Sequence, residues 1–351
     1  MEYTDRHERF FLRQISRHAL LYTEMITAEA VIHGNREKLL SFSNEEHPIA
    51  LQLGGSDPDR MALAAKIGQD FGYDEININV GCPSDRVQSG RFGACLMAEP
   101  NLVATIVRTM HKTTDIPITV KSRIGIDDQD SYEFLCNFIK TVSAAGCQIF
   151  IVHARKAYLS GLSPKQNREI PPLNHERIYR LKRDFPELEI IINGGIETLE
   201  QCREHLKHVD GVMIGRAAYH SPYLLAGIDK NLFDDPTPAP SRSDLVEAMQ
   251  AYIERQLTVG VRLNAISRHM LGLYHGQPGA RAWRRYISER SHLPGSDGSL
   301  LLNAAAQMPA AKTQQVVLVE LPCHGQREGC FDAQKHMKRL VQRKNFVRLE
   351  L

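Results

Sequence analysis

The chain has 351 residues, 42% of them hydrophobic, enough for one large core and a smaller second one. A net charge of +2 excludes a polybasic nucleic-acid binder, so any basic surface must be local. Seven cysteines, at 82, 95, 136, 147, 202, 323 and 330, show no paired spacing and no disulfide framework; reduced thiols and a cytoplasmic setting are expected. No apolar run approaches the roughly 20 residues of a membrane span, and charges in the first twenty residues argue against a signal peptide.

In chain order, Met1 to Leu12 reads as a loop running into a helix, with no strand ahead of it. Short β-rich apolar runs then alternate with helical stretches to about residue 230. The runs are Ala19–Glu24, Ile49–Leu53, Glu75–Val80, Ile116–Lys121, Gln148–His153, Leu188–Asn193 and Gly211–Gly215. Helices are expected at Pro58–Gly72, Pro100–Thr113 and Ser131–Ala145. Strand, helix, strand with buried runs predicts a parallel sheet. Seven strands fall one short of a (β/α)8 barrel, and the deficit is at the front. The expectation is therefore a (β/α)8 TIM barrel whose first strand is absent from this chain, leaving both neighbouring edges open.

A doubly wound sheet is the competing architecture, and the strand ends argue against it. The runs finish in Thr23-Glu24, Gln52, Asn77 and Asn79, Lys121, His153-Ala-Arg155, Asn193-Gly-Gly195 and Gly215-Arg216. Seven polar ends in succession predict a ring around a ligand at the carboxyl face of a barrel. The loop Gly81–Met97 is long and turn-rich, hangs on the end of a buried strand and carries Cys82 and Cys95, and such loops are functional more often than connective. Cys82 reads best as a small buried hydrophobe, Cys95 as a reactive thiol on a loop.

Asp234–Ser241 is a proline-rich linker. It divides a catalytic barrel, 1–233, from a small all-α domain, 242–308; a tail of unknown structure, 309–351, follows. In the helical part, Arg262, Arg268, Arg281, Arg284, Arg285 and Arg290 face one acid, Glu289, with Tyr274, Trp283 and Tyr286 interleaved. Arginines with aromatics suit phosphate contacts and base stacking on a structured RNA. In the tail, Cys323-His324 and Cys330 match no structural zinc spacing, so no metal is expected, and Lys335–Arg348 reads as a basic helix or unstructured segment.

Asn193-Gly194-Gly195 and Gly215-Arg216 each follow a strand and open a helix, at the positions of the last two barrel strands. Loops there form the usual barrel phosphate site, through backbone N–H groups. Lys121 at a strand end can be a Schiff-base nucleophile, a general base or a fixed cation. His153 offers a hydrogen bond and Gln52 an amide. Lysine, glutamine, histidine and a phosphate site together meet the needs of FMN, whose reduced N1–C2=O edge is anionic.

At this point a resemblance can be stated. Glu75-Ile-Asn-Ile-Asn-Val-Gly-Cys-Pro-Ser84, the Cys95 loop, Val120-Lys121, Phe150–Lys156, Ile192–Gly195 and Asp210–Arg216 resemble the tRNA-dihydrouridine synthases. Arg123–Tyr132, Gly161–Pro164, Asn167–Pro172 and Arg268–Leu273 are similar, more narrowly, to the A branch of that family. The resemblance implies a flavin enzyme that reduces the C5–C6 bond of D-loop uridines 20 and 20a in tRNA, with NADPH as electron donor. Hydride would pass from reduced FMN to C6, and Cys95 would protonate C5. It also implies flavin contacts at Met1, Gln52, Lys121, His153, Asn193, Gly194, Gly195, Gly215 and Arg216. Uracil and tRNA contacts are implied at Asn79, Phe92, Arg155, Lys156, Arg168, Arg281, Arg284 and Arg285. The family begins with a strand ending in an Ala-Pro-Met turn, of which this chain holds only the last residue, and residues after about 310 have no counterpart. Alternative readings are a flavin dehydrogenase of a free pyrimidine, a catalytically dead tRNA-binding remnant, and a phosphosugar aldolase using Lys121.

Overall fold

A computed structural model describes residues 3–84, 87, 90–309 and 347–350. Nine parallel strands are present: β1 (Leu20–Tyr22), β2 (Ile26–Thr27), β3 (Ile49–Gly54), β4 (Glu75–Val80), β5 (Ile118–Arg123), β6 (Ile149–His153), β7 (Glu189–Asn193), β8 (Gly211–Ile214) and β9 (Val347–Leu349). Eight of them close a ring, β1-β3-β4-β5-β6-β7-β8-β9, with β2 a short addition beside β3. This is a (β/α)8 barrel. All seven expected strands are present, their bounds shifted by a few residues at most.

The expected gap is not a gap. β9 lies between β1 and β8, pairing Leu20 with Arg348 on one side and Ile214 with Leu349 on the other. Both edges that seven strands would have left open are paired. The tail reading is corrected at its end: Val347 to Leu349 is a barrel strand, while the stretch before it lies outside the described residues.

The helices expected from the sequence are Pro58–Asp70, Pro100–His111 and Tyr132–Ser143. Their starts have a local cause. Asp57 accepts hydrogen bonds from the backbone of Asp59 and Arg60 with Pro58 at the first helical position, and Ser131 caps Phe134. Their apolar faces form one core with the outward faces of the strands, including Ile76, Ile78, Val120, Val152 and Ile192. A second, smaller core fills the barrel itself: Leu20, Tyr22, Ala50, Ile151, Ile191 and Met213.

Beyond the linker, Arg242–Thr258, Leu263–Ser267, Ala280–Arg290 and Ser299–Ala305 form a helical cluster around Leu245, Met249, Ile253, Ile266, Met270 and Trp283. The sequence pattern puts Trp283 on the basic face, whereas in the fold it is fully buried and its indole N–H donates to Met270 O at 3.0 Å. The cluster meets the barrel through the helix Arg6–Ile15. Asp5 accepts from Arg268 at 2.7 Å and pairs with His269 at 3.0 Å, while the Tyr252 ring stacks on Phe10. Arg268 therefore belongs to this junction.

Candidate active site

The inward side chains of the barrel divide by strand. β6, β7 and β8 contribute Ile151, Ile191 and Met213. β3, β4 and β5 contribute Gln52, Glu75, Asn77, Asn79, Thr119 and Lys121, placed level with one another by the register Gln52–Asn77–Thr119 and Asn79–Lys121. Burying that many polar groups is tolerable only when they bond one another. They do. Gln52 Nε2 donates to Asn77 Oδ1 at 3.0 Å, Asn77 Nδ2 donates to Thr119 Oγ1, and Thr119 donates to Glu75 at 2.8 Å. Gln52 Oε1 accepts from Asn79 Nδ2 at 2.8 Å.

β9 completes the network at both ends. Arg348, fully buried, brings Nη1 to 2.6 Å from the Glu75 carboxylate and also reaches the Tyr22 hydroxyl. Glu350 Oε1 accepts from Gln52 Nε2 at 2.8 Å; its Oε2 stands 3.2 Å from Lys121 Nζ as an ion pair. Lys121 and Glu350 are 14% and 13% exposed, so this pair is shielded from solvent screening at the barrel mouth.

His153 ends β6, and its Nδ1 is buried without a hydrogen-bond partner. Burial, reinforced by the positive charges of Arg123 and Lys121, holds its pKa well below the ordinary histidine value, so the imidazole is neutral at pH 7. Asn193 ends β7 and uses its amide to bond Met213 O at 2.8 Å. Gly195 has φ +74°, and a Cβ there would come within 2.6 Å of the Leu173 side chain, so glycine suits both the turn and its packing under Leu173. Gly215 leads into a helix of only five residues, Arg216–His220, and Arg216 pairs with Glu169 at 3.0 Å. The Asn193–Gly195 turn runs several residues before its helix begins at Leu199, so it does not open that helix directly. Met1 lies outside the described residues.

The Cys95 loop returns onto the end of β4. Asn79 Oδ1 accepts from the N–H groups of Gly81 and Cys82, and Ala94 N–H donates to Cys82 O at 2.9 Å. Gly93, at φ +75°, makes this return possible, because a Cβ would lie 2.5 Å from Cys82 O. Phe92 packs over Gly54 at the end of β3. Cys95 is half-buried in the short helix Gly93–Ala98, with Sγ 3.2 Å from Phe92 O. Burial first and the Glu99 carboxylate second raise its pKa, so the group is a thiol, able to give a proton.

Of the remaining basic residues, Arg155 bonds Glu169 O and Pro171 O, and Lys156 bonds Asp127 O and pairs with Asp130 at 2.9 Å. Arg168 is exposed. Arg281, Arg284 and Arg285 are exposed on one helix, and none is ion-paired among the described residues.

Three residues escaped the sequence reading. Arg123 bonds Gly81 O at 3.0 Å and Asn167 O at 2.9 Å, joining the Cys95 loop to the 155–170 loop. Arg348 and Glu350 enter from the far end of the chain. The one available signal was the period-two alternation Val347-Arg-Leu-Glu350, together with an unpaired inward acid at Glu75.

Fold and mouth together define a barrel enzyme with a solvent-shielded lysine, a neutral histidine and a protonated cysteine at the carboxyl ends of its strands. The sequence profile of the dihydrouridine synthase family matches residues 1–309, and the chain belongs to that family. It is 60% identical over 307 residues to a Synechocystis protein named tRNA-dihydrouridine(20/20a) synthase, covering 88% of this chain and 92% of that one. Proteins of the same name from Vibrio parahaemolyticus and Escherichia coli K12 are each 59% identical, covering 88% and 87% of this chain and 95% and 88% of theirs. Among the described residues no helix is long and apolar enough to cross a membrane.

Proposed function

We propose that this chain reduces the C5–C6 bond of D-loop uridines 20 and 20a in tRNA, with FMN at the barrel mouth and NADPH as electron source. The observation that carries the reading is identity of 60% to a protein named for that reaction, over nearly the full length of both. The mouth is compatible with the cofactor. Lys121 supplies a cation, Gln52 an amide and His153 a buried ring nitrogen in want of a partner, while the Asn193–Gly195 and Gly215–Arg216 turns would take the phosphate. Glu350 is the exception, an anion where the flavin's anionic edge would lie.

The bound flavin supplies the hydride for C6 of the uracil. This chain's residues do the rest. Cys95 holds on its sulfur the proton that C5 takes up, and burial keeps that proton in place at neutral pH. Asn79, its amide already fixed between Gln52 and the Gly81–Cys82 backbone, sets the rim against which the uracil edge is held. The base must leave the tRNA stack to reach this depth. Arg281, Arg284 and Arg285 grip the tRNA backbone, and a tRNA substrate suits a cytoplasmic enzyme.

The test is dihydrouridine formation in unmodified tRNA. Cys95→Ala is expected to bind tRNA normally and to lose roughly 100- to 10,000-fold in turnover, the usual worth of a positioned proton donor. Turnover near that of the parent would remove Cys95 from the mechanism.

A further inference from the structure

Glu350 lies outside the residues that the family profile matches. Its position is fixed on both sides. Its backbone N–H donates to Ile214 O at 3.2 Å, and its carbonyl oxygen lies 3.3 Å from where a Cβ on Gly215 would be. Its side chain reaches across the barrel to Gln52 on β3 and Lys121 on β5. Two residues earlier, Arg348 is locked into Glu75 by a fully buried ion pair, so the strand that presents Glu350 is anchored.

We propose that Glu350 is a built-in occupant of the cofactor site, its carboxylate taking the Lys121 ammonium and the Gln52 amide in competition with the flavin. This rests on the flavin reading given above. The physical argument is charge. A lone Lys121 would present one positive charge to the ligand, whereas the Lys121–Glu350 pair presents none. The flavin ring is neutral when oxidised and anionic at N1 when reduced, so a carboxylate beside Lys121 opposes the reduced form more strongly. The site as built thus disfavours flavin binding, and disfavours reduced flavin most.

The measurement is FMN binding to the full chain, by flavin fluorescence quenching, for the parent, Glu350→Gln and Glu350→Ala. Glu350→Gln keeps the shape and the contact with Gln52 while removing the charge, and β9 stays anchored by Arg348. Thermal melts of each variant check the fold. The expectation is that FMN binds Glu350→Gln roughly tenfold or more tightly than the parent, the effect of about 1.4 kcal/mol. The midpoint potential of the bound flavin should also move to a more positive value. Equal affinity and equal potential in parent and Glu350→Gln would overturn the competition and leave the flavin reading intact. If no variant binds FMN, Glu350→Ala included, the flavin reading itself falls, and this proposal with it. Adding Lys121→Met to Glu350→Gln should reverse the gain. A gain that survives Lys121→Met would show that the two residues do not share the ligand, and would also overturn the proposal.

Discussion

The two halves of the barrel interior solve the same filling problem with opposite chemistry. Within the barrel β6, β7 and β8 turn Ile151, Ile191 and Met213 inward, where packing alone is enough, and polar groups, His153 and Asn193, stand only at the carboxyl ends of β6 and β7. On β3, β4 and β5 the inward positions, Ala50 aside, are Gln52, Glu75, Asn77, Asn79, Thr119 and Lys121, and every polar group must be matched by a partner. Matching fails within that half, because Glu75 has too few donors and Lys121 no acid. β9 supplies both, with Arg348 and Glu350. An apolar half accepts any neighbour of suitable volume, whereas a polar half selects its neighbour by charge and register.

The largest expected effect is on that selection. Arg348→Ala leaves Glu75 buried and unpaired, and should cost about 3–5 kcal/mol in chemical denaturation. Pairing Arg348→Met with Glu75→Gln should recover most of the loss; no recovery would mean that Arg348 acts by volume and not by charge.

Acid should act elsewhere in the molecule. Burial holds His7 near pH 4, despite Asp5, and holds His205 near 4 as well, against an ordinary value of 6.5. Both are neutral when folded, and the unfolded chain takes up their protons first as pH falls. Stability is therefore full above about pH 6.5 and declines toward pH 4, by at most about 3 kcal/mol per histidine. A double His7→Phe/His205→Phe variant should make that decline shallower in pH-dependent melts, leaving the part due to buried His153; an unchanged slope would place the acid sensitivity in the barrel alone. The smallest effect belongs to the apolar half, where Ile191→Val should cost about 0.5–1.5 kcal/mol. A loss as large as that of Arg348→Ala would erase the contrast between the halves.

The same contrast explains what could be read from the sequence. Strands β3 to β8 carry apolar or alternating runs of four to six residues, and these declare themselves by local pattern. The strand-end residues Gln52, Lys121, His153 and Gly195 follow from that register, because the barrel brings its carboxyl ends together. β9 has three residues, one of them arginine, and follows a basic stretch. Its strand character comes from Glu75, 273 residues away, and from the unpaired edges of β1 and β8. No local pattern carries that information. The basic helical face was legible in Arg281, Arg284 and Arg285, whereas Arg268 and Trp283 were claimed by the junction and the core.

The position of β9 also sets a timetable for the newborn chain. Tyr22 on β1 and Arg348 on β9 are 326 residues apart, yet their strands are neighbours in the ring. At about 5–20 residues per second, translation separates their emergence by roughly 16 to 65 s. From the moment β8 has emerged until β9 follows, the flanks of β1 and β8 are exposed as pairing templates, and Glu75 waits inside an open cylinder without its counter-ion. Ring closure is thus a late, long-range step, and molecules caught before it are the ones a holding chaperone would meet.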